Sequence, residues 1–360
     1  TTEIYTLSLH DALPILANDS SRDRLTALRI VLQNWGASHV AVTNYPGDNF
    51  GNWFPDTFDK TLLDAPCSMQ GLRESESRAI KPITQKEINQ LAKRQFKLLD
   101  SALKSVKVGG QVVYSTCTLT IEENEMVIDE ILNVHKDSIR IETLSQTLRE
   151  KAPGIYQFQE FSLNKQVKNA ARIWPFSFGT AGFFAAKITK TNQIETTFKS
   201  PPSRSLTQAK WFPVNDKSIN DIENWIFNNY GFSLAALCEK YNWELWQFKN
   251  NLHCFPKRFL HTFPDFPVQA LGLPLGEMVE DQLQLSHEFV TRFGSLFQSN
   301  GFRLHEDQLE NWMRGEDITQ IFEGNPPLQI IQDHLNRTLG RGKPTSNRLR
   351  NMMPKRILLR

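Results

Sequence analysis

From Ile15 to Ile188, short apolar runs of strand type alternate with helical patterns, and no other feature constrains the fold as tightly. Such alternation marks a parallel α/β sheet, because each parallel strand is reached through a crossover that is usually helical. The strand candidates are Ile15–Ala17, Val40–Thr43, Thr61–Leu63, Gln111–Ser115 and Gly182–Ile188. The spacing predicts a helix from about Ser21 to Trp35, closed by Gly36, and a longer one from about Gln85 to Val106, closed by Gly109-Gly110. Thr120 and Glu123 are spaced as a capping box ahead of Met126, Val127, Ile131 and Leu132, so a third helix is expected to begin at Thr120. Val112, Val113 and Leu62 read as sheet core.

Beyond the sheet region the character of the chain changes. Residues 189–206 are rich in Thr, Ser, Pro and Lys without periodicity and read as a linker. Residues 207–262 read as a small aromatic-rich domain, and 263–360 as a further α+β domain with a helix near His305 to Met313. A net charge of +2 is nearly neutral, but His334–Arg360 holds eight Lys or Arg and no Asp or Glu, a local basic tail. Cys67, Cys117, Cys238 and Cys254 are too scattered for a zinc site or a disulfide scaffold, so no metal and a reduced cytoplasmic setting are expected. No run of the sequence is apolar enough for a membrane span, and the first fifteen residues lack a signal peptide's positive start.

In open parallel sheets, ligands bind at the carboxyl ends of the strands. Asp19, Asp64 and Cys117 fall at such ends, and Cys67 follows Asp64 within the turn Asp64-Ala-Pro-Cys67-Ser. If the strands share one sheet, two carboxylates and two thiols converge on one edge. A thiol beside a buried strand is more often an inert small hydrophobe than a nucleophile. Asp19 can equally be a helix cap.

The motif residues go further. Asp64-Ala-Pro-Cys67-Ser, followed by Tyr114-Ser-Thr-Cys117-Thr-Leu and Glu122-Glu-Asn-Glu125, resembles the paired cysteine motifs of Nop/Sun-type RNA cytosine-5 methyltransferases. Asn18-Asp19 with Arg24, Trp174-Pro175 and Gly182-Phe-Phe resemble further landmarks of that family in the same order, and together they cover about residues 15–188. Leu271-Gly-Leu, Ser286-His287-Glu288, Trp312-Met-Arg-Gly-Glu316, Arg341-Gly-Lys and Met353-Pro-Lys-Arg356 look like the PUA-like portion of its bacterial branch acting on small-subunit ribosomal RNA.

The resemblance implies a Rossmann-like S-adenosylmethionine-dependent methyltransferase sheet at 15–188, then the small domain, then a PUA-like RNA-binding domain at 263–360. It implies methylation of C5 of a cytosine in 16S ribosomal RNA, with S-adenosyl-L-methionine as donor and ribosomal RNA or the small subunit as partner. Cys117 would be the nucleophile, since C5 of cytosine reacts only once a thiolate has added at C6. Asp64 would meet N3 of the base and lie beside the donor, Cys67 would serve release, and Asp19, followed by Arg24, would hold the donor's ribose. Arg337, Arg341, Lys343, Arg348, Arg350 and Lys355 would contact phosphates. Trp243, Trp246 and Phe248 could stack on bases but read more readily as core.

Three departures accompany the likeness. The family's Gly-rich donor loop with its central strand, expected just before Ile15, is not in this chain. Residues 1–14 read as translated adaptor sequence or disorder, which makes the chain an N-terminally truncated form. Ser68-Met69-Gln70-Gly71 stands where the family has Ser-Gly-x-Gly, and the acidic adenine contact would fall near Pro46, with Asp48 displaced. With the donor loop missing, a catalytically incompetent RNA-binding remnant is the alternative. A cysteine hydrolase would need a histidine base, and His39 and His135 follow no hydrolase motif.

Overall fold

The computed structural model describes residues 14–72, 82–144, 152–158, 161–280, 282–324 and 326–359. The first thirteen residues, read above as foreign sequence, lie outside that set. The chain divides into two units, residues 45–201 and residues 1–44 with 202–360.

In the second of these, β1 (Ile15–Asn18) and β2 (Val40–Thr43) are parallel, with Asn18 opposite Thr43. They are joined by α1 (Arg22–Asn34), capped by the Ser21 side chain. Leu25, Val40 and Val42 form the buried contact beneath it. Ala270–Leu271 adds an antiparallel strand to β2. The strands expected to share one sheet are found in two, β1 and β2 with Ala270–Leu271 in one and the remaining strands of residues 45–201 outside it. The same unit holds two five-stranded sheets. One, built on Trp243–Phe248, Asn251–Pro256 and Leu273–Val279, packs with the helices Asp216–Tyr230 and His287–Phe293 around Trp243, Tyr230 and Phe289. The other carries the basic tail on Thr338–Pro344 and Arg348–Asn351.

The unit of residues 45–201 is built on β3 (Phe58–Asp64) and β4 (Val106–Thr116), which are parallel, with Asp64 opposite Ser115. α2 (Gln85–Ser105) joins them and starts on a true capping box, Thr84 with Glu87. Its apolar stripe, Ile88, Leu99, Ala102 and Leu103, recurs at helical spacing and is buried against the sheet. α3 (Glu125–Val134) packs beside it through Val127, Ile128, Ile131 and Leu132. β5 (Ile139–Glu142), β6 (Ala171–Ile173) and β7 (Phe183–Lys190) complete this side, with β7 antiparallel to β4 and flanked on its far edge by β6 and β5.

Two expectations are corrected here. α3 begins at Glu125, not at Thr120, so residues 120–123 form a loop and Glu123 is free to bond elsewhere. Val112 is fully buried, but Leu62 is 73 % exposed. Leu62 shares a face of β3 with Lys60 and Asp64, both also exposed, while the helices cover the opposite face.

Candidate active site

The parallel register places the ends of β3 and β4 side by side. The Ala65 N–H donates to Ser115 O at 2.9 Å, extending the pairing one residue past the strand. Cys67 lies three residues past the end of β3 and Cys117 directly follows β4, and their Sγ atoms stand 3.3 Å apart as free thiols. Asp64 stands exposed beside them at the end of β3. Three of the sequence-predicted residues are thus brought together.

Polar side chains grip both cysteine turns. Ser68 N–H and Gln95 Nε2 each donate to Glu123 Oε2 at 2.9 Å. Gln95 Nε2 also reaches Pro66 O at 2.8 Å, so the residues on either side of Cys67 are both held. Ser68 Oγ meets Thr118 Oγ1 at 2.9 Å, tying the first turn to the residue after Cys117. Thr116 Oγ1 donates to Asn124 Oδ1 at 2.6 Å, and Asn124 Nδ2 to Thr118 O at 3.0 Å, which closes the loop around Cys117.

A third strand locks the arrangement. Gly71 N–H donates to Cys117 O at 3.1 Å and Gly182 N–H to Gly71 O at 2.6 Å. A Cβ at Gly71 would come within 2.8 Å of Cys117 O, so only glycine fits this crossing. Met69 sits at φ 60°, the left-handed region that glycine adopts freely, which gives the departure from Ser-Gly-x-Gly a backbone cost. Further along the loop, the fully buried Arg172 holds Glu125 through two bonds of 2.6 Å and Leu119 O through a third of 2.9 Å. Its guanidinium lies 5.2 Å from the Trp174 ring centroid, which gives the Trp174-Pro175 landmark a packing role.

Burial pushes the Cys67 thiol up to about 12. At neutral pH Cys67 keeps its proton and can donate it toward Cys117 Sγ. Cys117 thus has a thiol, not a histidine, as its partner. His135, the histidine of this unit among the described residues, is engaged by Asp100 at 2.8 Å and does not serve Cys117 as a base.

Asp19 and Arg24 also lie in the other unit. Asp19 ends β1 and accepts from Arg24 Nε at 2.8 Å, Arg24 Nη2 at 2.9 Å and Ser21 N–H at 2.7 Å. The Arg24 bonds hold its carboxyl below the usual range. Cavities of about 300 and 380 Å³ lie in that unit too, and neither includes Asp64, Cys67 or Cys117. Among the described residues no His, Cys, Asp or Glu cluster could hold a metal, and no helix is long and apolar enough to cross a membrane.

Within the basic tail, Arg337 pairs with Asp333 and Arg348 with Asp317, while the Arg341 side chain turns inward to Leu285 O. Lys343, Arg350 and Lys355 are exposed, and Lys343 stands directly across the ladder from Arg350. Trp243 is core, 1 % exposed. Sequence reasoning missed Glu123, Gln95 and Arg172. The available signal was Gln95, a polar residue on the apolar stripe of α2.

The model of the 16S rRNA methyltransferase RsmB/F family matches residues 1–189, which carry Asp19, Asp64, Cys67 and Cys117. The chain belongs to that family. Its members are RNA methyltransferases of the S-adenosylmethionine-dependent type. Over 346 residues the chain is 27 % identical to the Ribosomal RNA small subunit methyltransferase F of Aliivibrio fischeri, covering 96 % of this chain and 68 % of that one. The protein of the same name from Aeromonas salmonicida is 27 % identical over 358 residues, 99 % of this chain and 71 % of its own. Among solved structures, a methyltransferase homolog protein from Pyrococcus horikoshii is 33 % identical at a TM-score of 0.42, covering 50 % of this chain and 54 % of that chain.

Proposed function

We propose that this family member methylates C5 of a cytosine in 16S ribosomal RNA through a covalent bond between Cys117 and C6. The observation that carries the reading is the pair of free thiols, 3.3 Å apart, at the ends of two paired parallel strands. A Cys117 thiolate adds to C6, and the electron pair of the C5–C6 double bond moves onto the ring. Asp64, exposed beside the thiols, meets N3 of the base and favours a proton there. S-adenosylmethionine, when bound, supplies a methyl group on a cationic sulfur. C5, having bonded the methyl group through that electron pair, loses its proton to water, the C–H pair restores the C5–C6 double bond, the C6–S pair leaves on the Cys117 sulfur, and N3 gives up its proton. Cys67 donates its proton to the departing Cys117 sulfur.

Asp19 is the residue assigned to the donor's ribose. Its carboxylate retains lone pairs beyond those used by Arg24 and Ser21, so hydroxyl donors fit, and Arg24 orients it. A base in a helix cannot be reached by Cys117, so the target is taken unpaired or extruded. Lys343, Arg350 and Lys355 are the cations best placed to meet RNA phosphates, because the other tail arginines named above are engaged within the protein.

Incubation with 16S RNA and S-adenosylmethionine, followed by nucleoside mass spectrometry, is the test. Appearance of 5-methylcytosine, abolished in Cys117→Ala, is expected. Methylation at another atom, or full activity in Cys117→Ala, would overturn the covalent reading. RNA retention without any methylation would leave an RNA-binding protein without catalysis.

A further inference from the structure

Glu123 has no exposed surface, and among the described residues its carboxylate is held by neutral donors: Ser68 N–H, Gln95 Nε2 and Thr120 Oγ1, each at 2.9 Å. Its own carbonyl accepts from Tyr114 OH at 2.6 Å. Gln95, also fully buried, spends its amide nitrogen on Glu123 and Pro66 O and leaves Oε1 without a partner among the described residues. A buried carboxylate beside an unsatisfied amide is a poor way to stabilise a fold. It is an effective way to hold one turn at a fixed distance from another.

We propose that Glu123, together with Gln95, is a positioning residue that fixes the Cys67–Cys117 spacing for the release half of the reaction. The inference rests on the covalent reading given above. Attack needs only Cys117, whose loop is closed independently by Asn124 and by the Arg172–Glu125 pair. Release needs Cys67 as well. As the C6–S bond breaks, its electron pair goes to Cys117 Sγ, the Cys67 proton crosses to that sulfur, and Cys67 is reprotonated by water. Both flanks of Cys67 depend on the Glu123–Gln95 pair. Loosening that pair lengthens the transfer and leaves attack in place.

The test uses the full chain, S-adenosylmethionine and a short cytidine-bearing fragment of 16S RNA, with the protein–RNA adduct read on a denaturing gel. Cys67→Ala should trap adduct. Glu123→Gln should trap it too, with release slowed about 10- to 100-fold, the scale expected for displacing a reacting group by about an ångström. Gln95→Met preserves volume and makes the same prediction should Glu123→Gln fail to fold. Adduct in Cys67→Ala but in neither clamp variant overturns the positioning role alone, as does a clamp variant that folds but no longer attacks. No adduct in Cys67→Ala overturns the covalent division of labour and this inference with it.

Discussion

Two strand ends in this molecule carry the same kinds of residue and handle them differently. At the end of β1, Asp19 meets Arg24 in an ion pair whose cation is 66 % exposed. In the loop that follows β4, Glu125 at the start of α3 meets Arg172 where the two side chains are 0 % and 1 % exposed, and Glu123 is buried in the same loop. An exposed pair trades water for a partner at little net gain, whereas a buried pair has no water to return to. The β1 end can exchange partners with a ligand, and the β4 end is fixed in place. The covalent step proposed for Cys117 needs the second kind of construction, and the donor contact proposed for Asp19 tolerates the first.

Substitutions can break that contrast. Cys117→Ala should lower methyl transfer by at least about 1000-fold in a steady-state assay, with no change in unfolding midpoint. Arg172→Met leaves Glu125 buried without its cation and should cost about 3–5 kcal/mol in urea unfolding. Arg24→Ala should cost less than about 1 kcal/mol in the same experiment. If the two losses proved equal, the distinction between the strand ends would fail.

Acid sharpens the comparison at the level of the units. Burial lowers His253 and His287, both in the unit with residues 202–360, to about 4 from an ordinary 6.5. Folded, they stay neutral while the unfolded chain takes up protons. The stability they contribute is complete above about pH 6.5 and is lost as pH falls toward 4, on the order of 3 kcal/mol for each. Thermal melts between pH 7 and pH 4.5, followed by exchange on each unit, should show this unit weakening first. His287→Gln should flatten that dependence.

Smaller effects follow at Asp19 and Met69. Asp19→Asn should weaken S-adenosylmethionine binding about tenfold by calorimetry, the scale of one hydrogen bond to a charged group. Unchanged affinity would return Asp19 to the role of a helix-start residue. Met69→Gly relieves a left-handed residue and should raise stability by about 1 kcal/mol, which chemical denaturation can resolve.

Much of the site is written locally. Asp64, Cys67 and Cys117 were legible because a strand followed by a short turn is a local pattern, and the end of a parallel strand faces the ligand side. α2 was legible from its apolar stripe. Glu123 was misread because its spacing from Thr120 fits a capping box, and spacing cannot say whether the chain is helical there. Its partners lie at Ser68 and Gln95, far away in sequence, so only the folded chain shows them.

The sequence by itself located Cys117, Cys67 and Asp64 at strand ends, together with the strands that carry them, because short-range periodicity and turn chemistry are properties of local segments. Only the tertiary structure decided that the thiols stand 3.3 Å apart, that Leu62 faces outward and that β1 and β2 pair with Ala270–Leu271 in a sheet of their own. Those outcomes depend on which distant segments compete for an edge or a face. Burial and hydrogen bonding across the chain settle that competition, and no local window contains it.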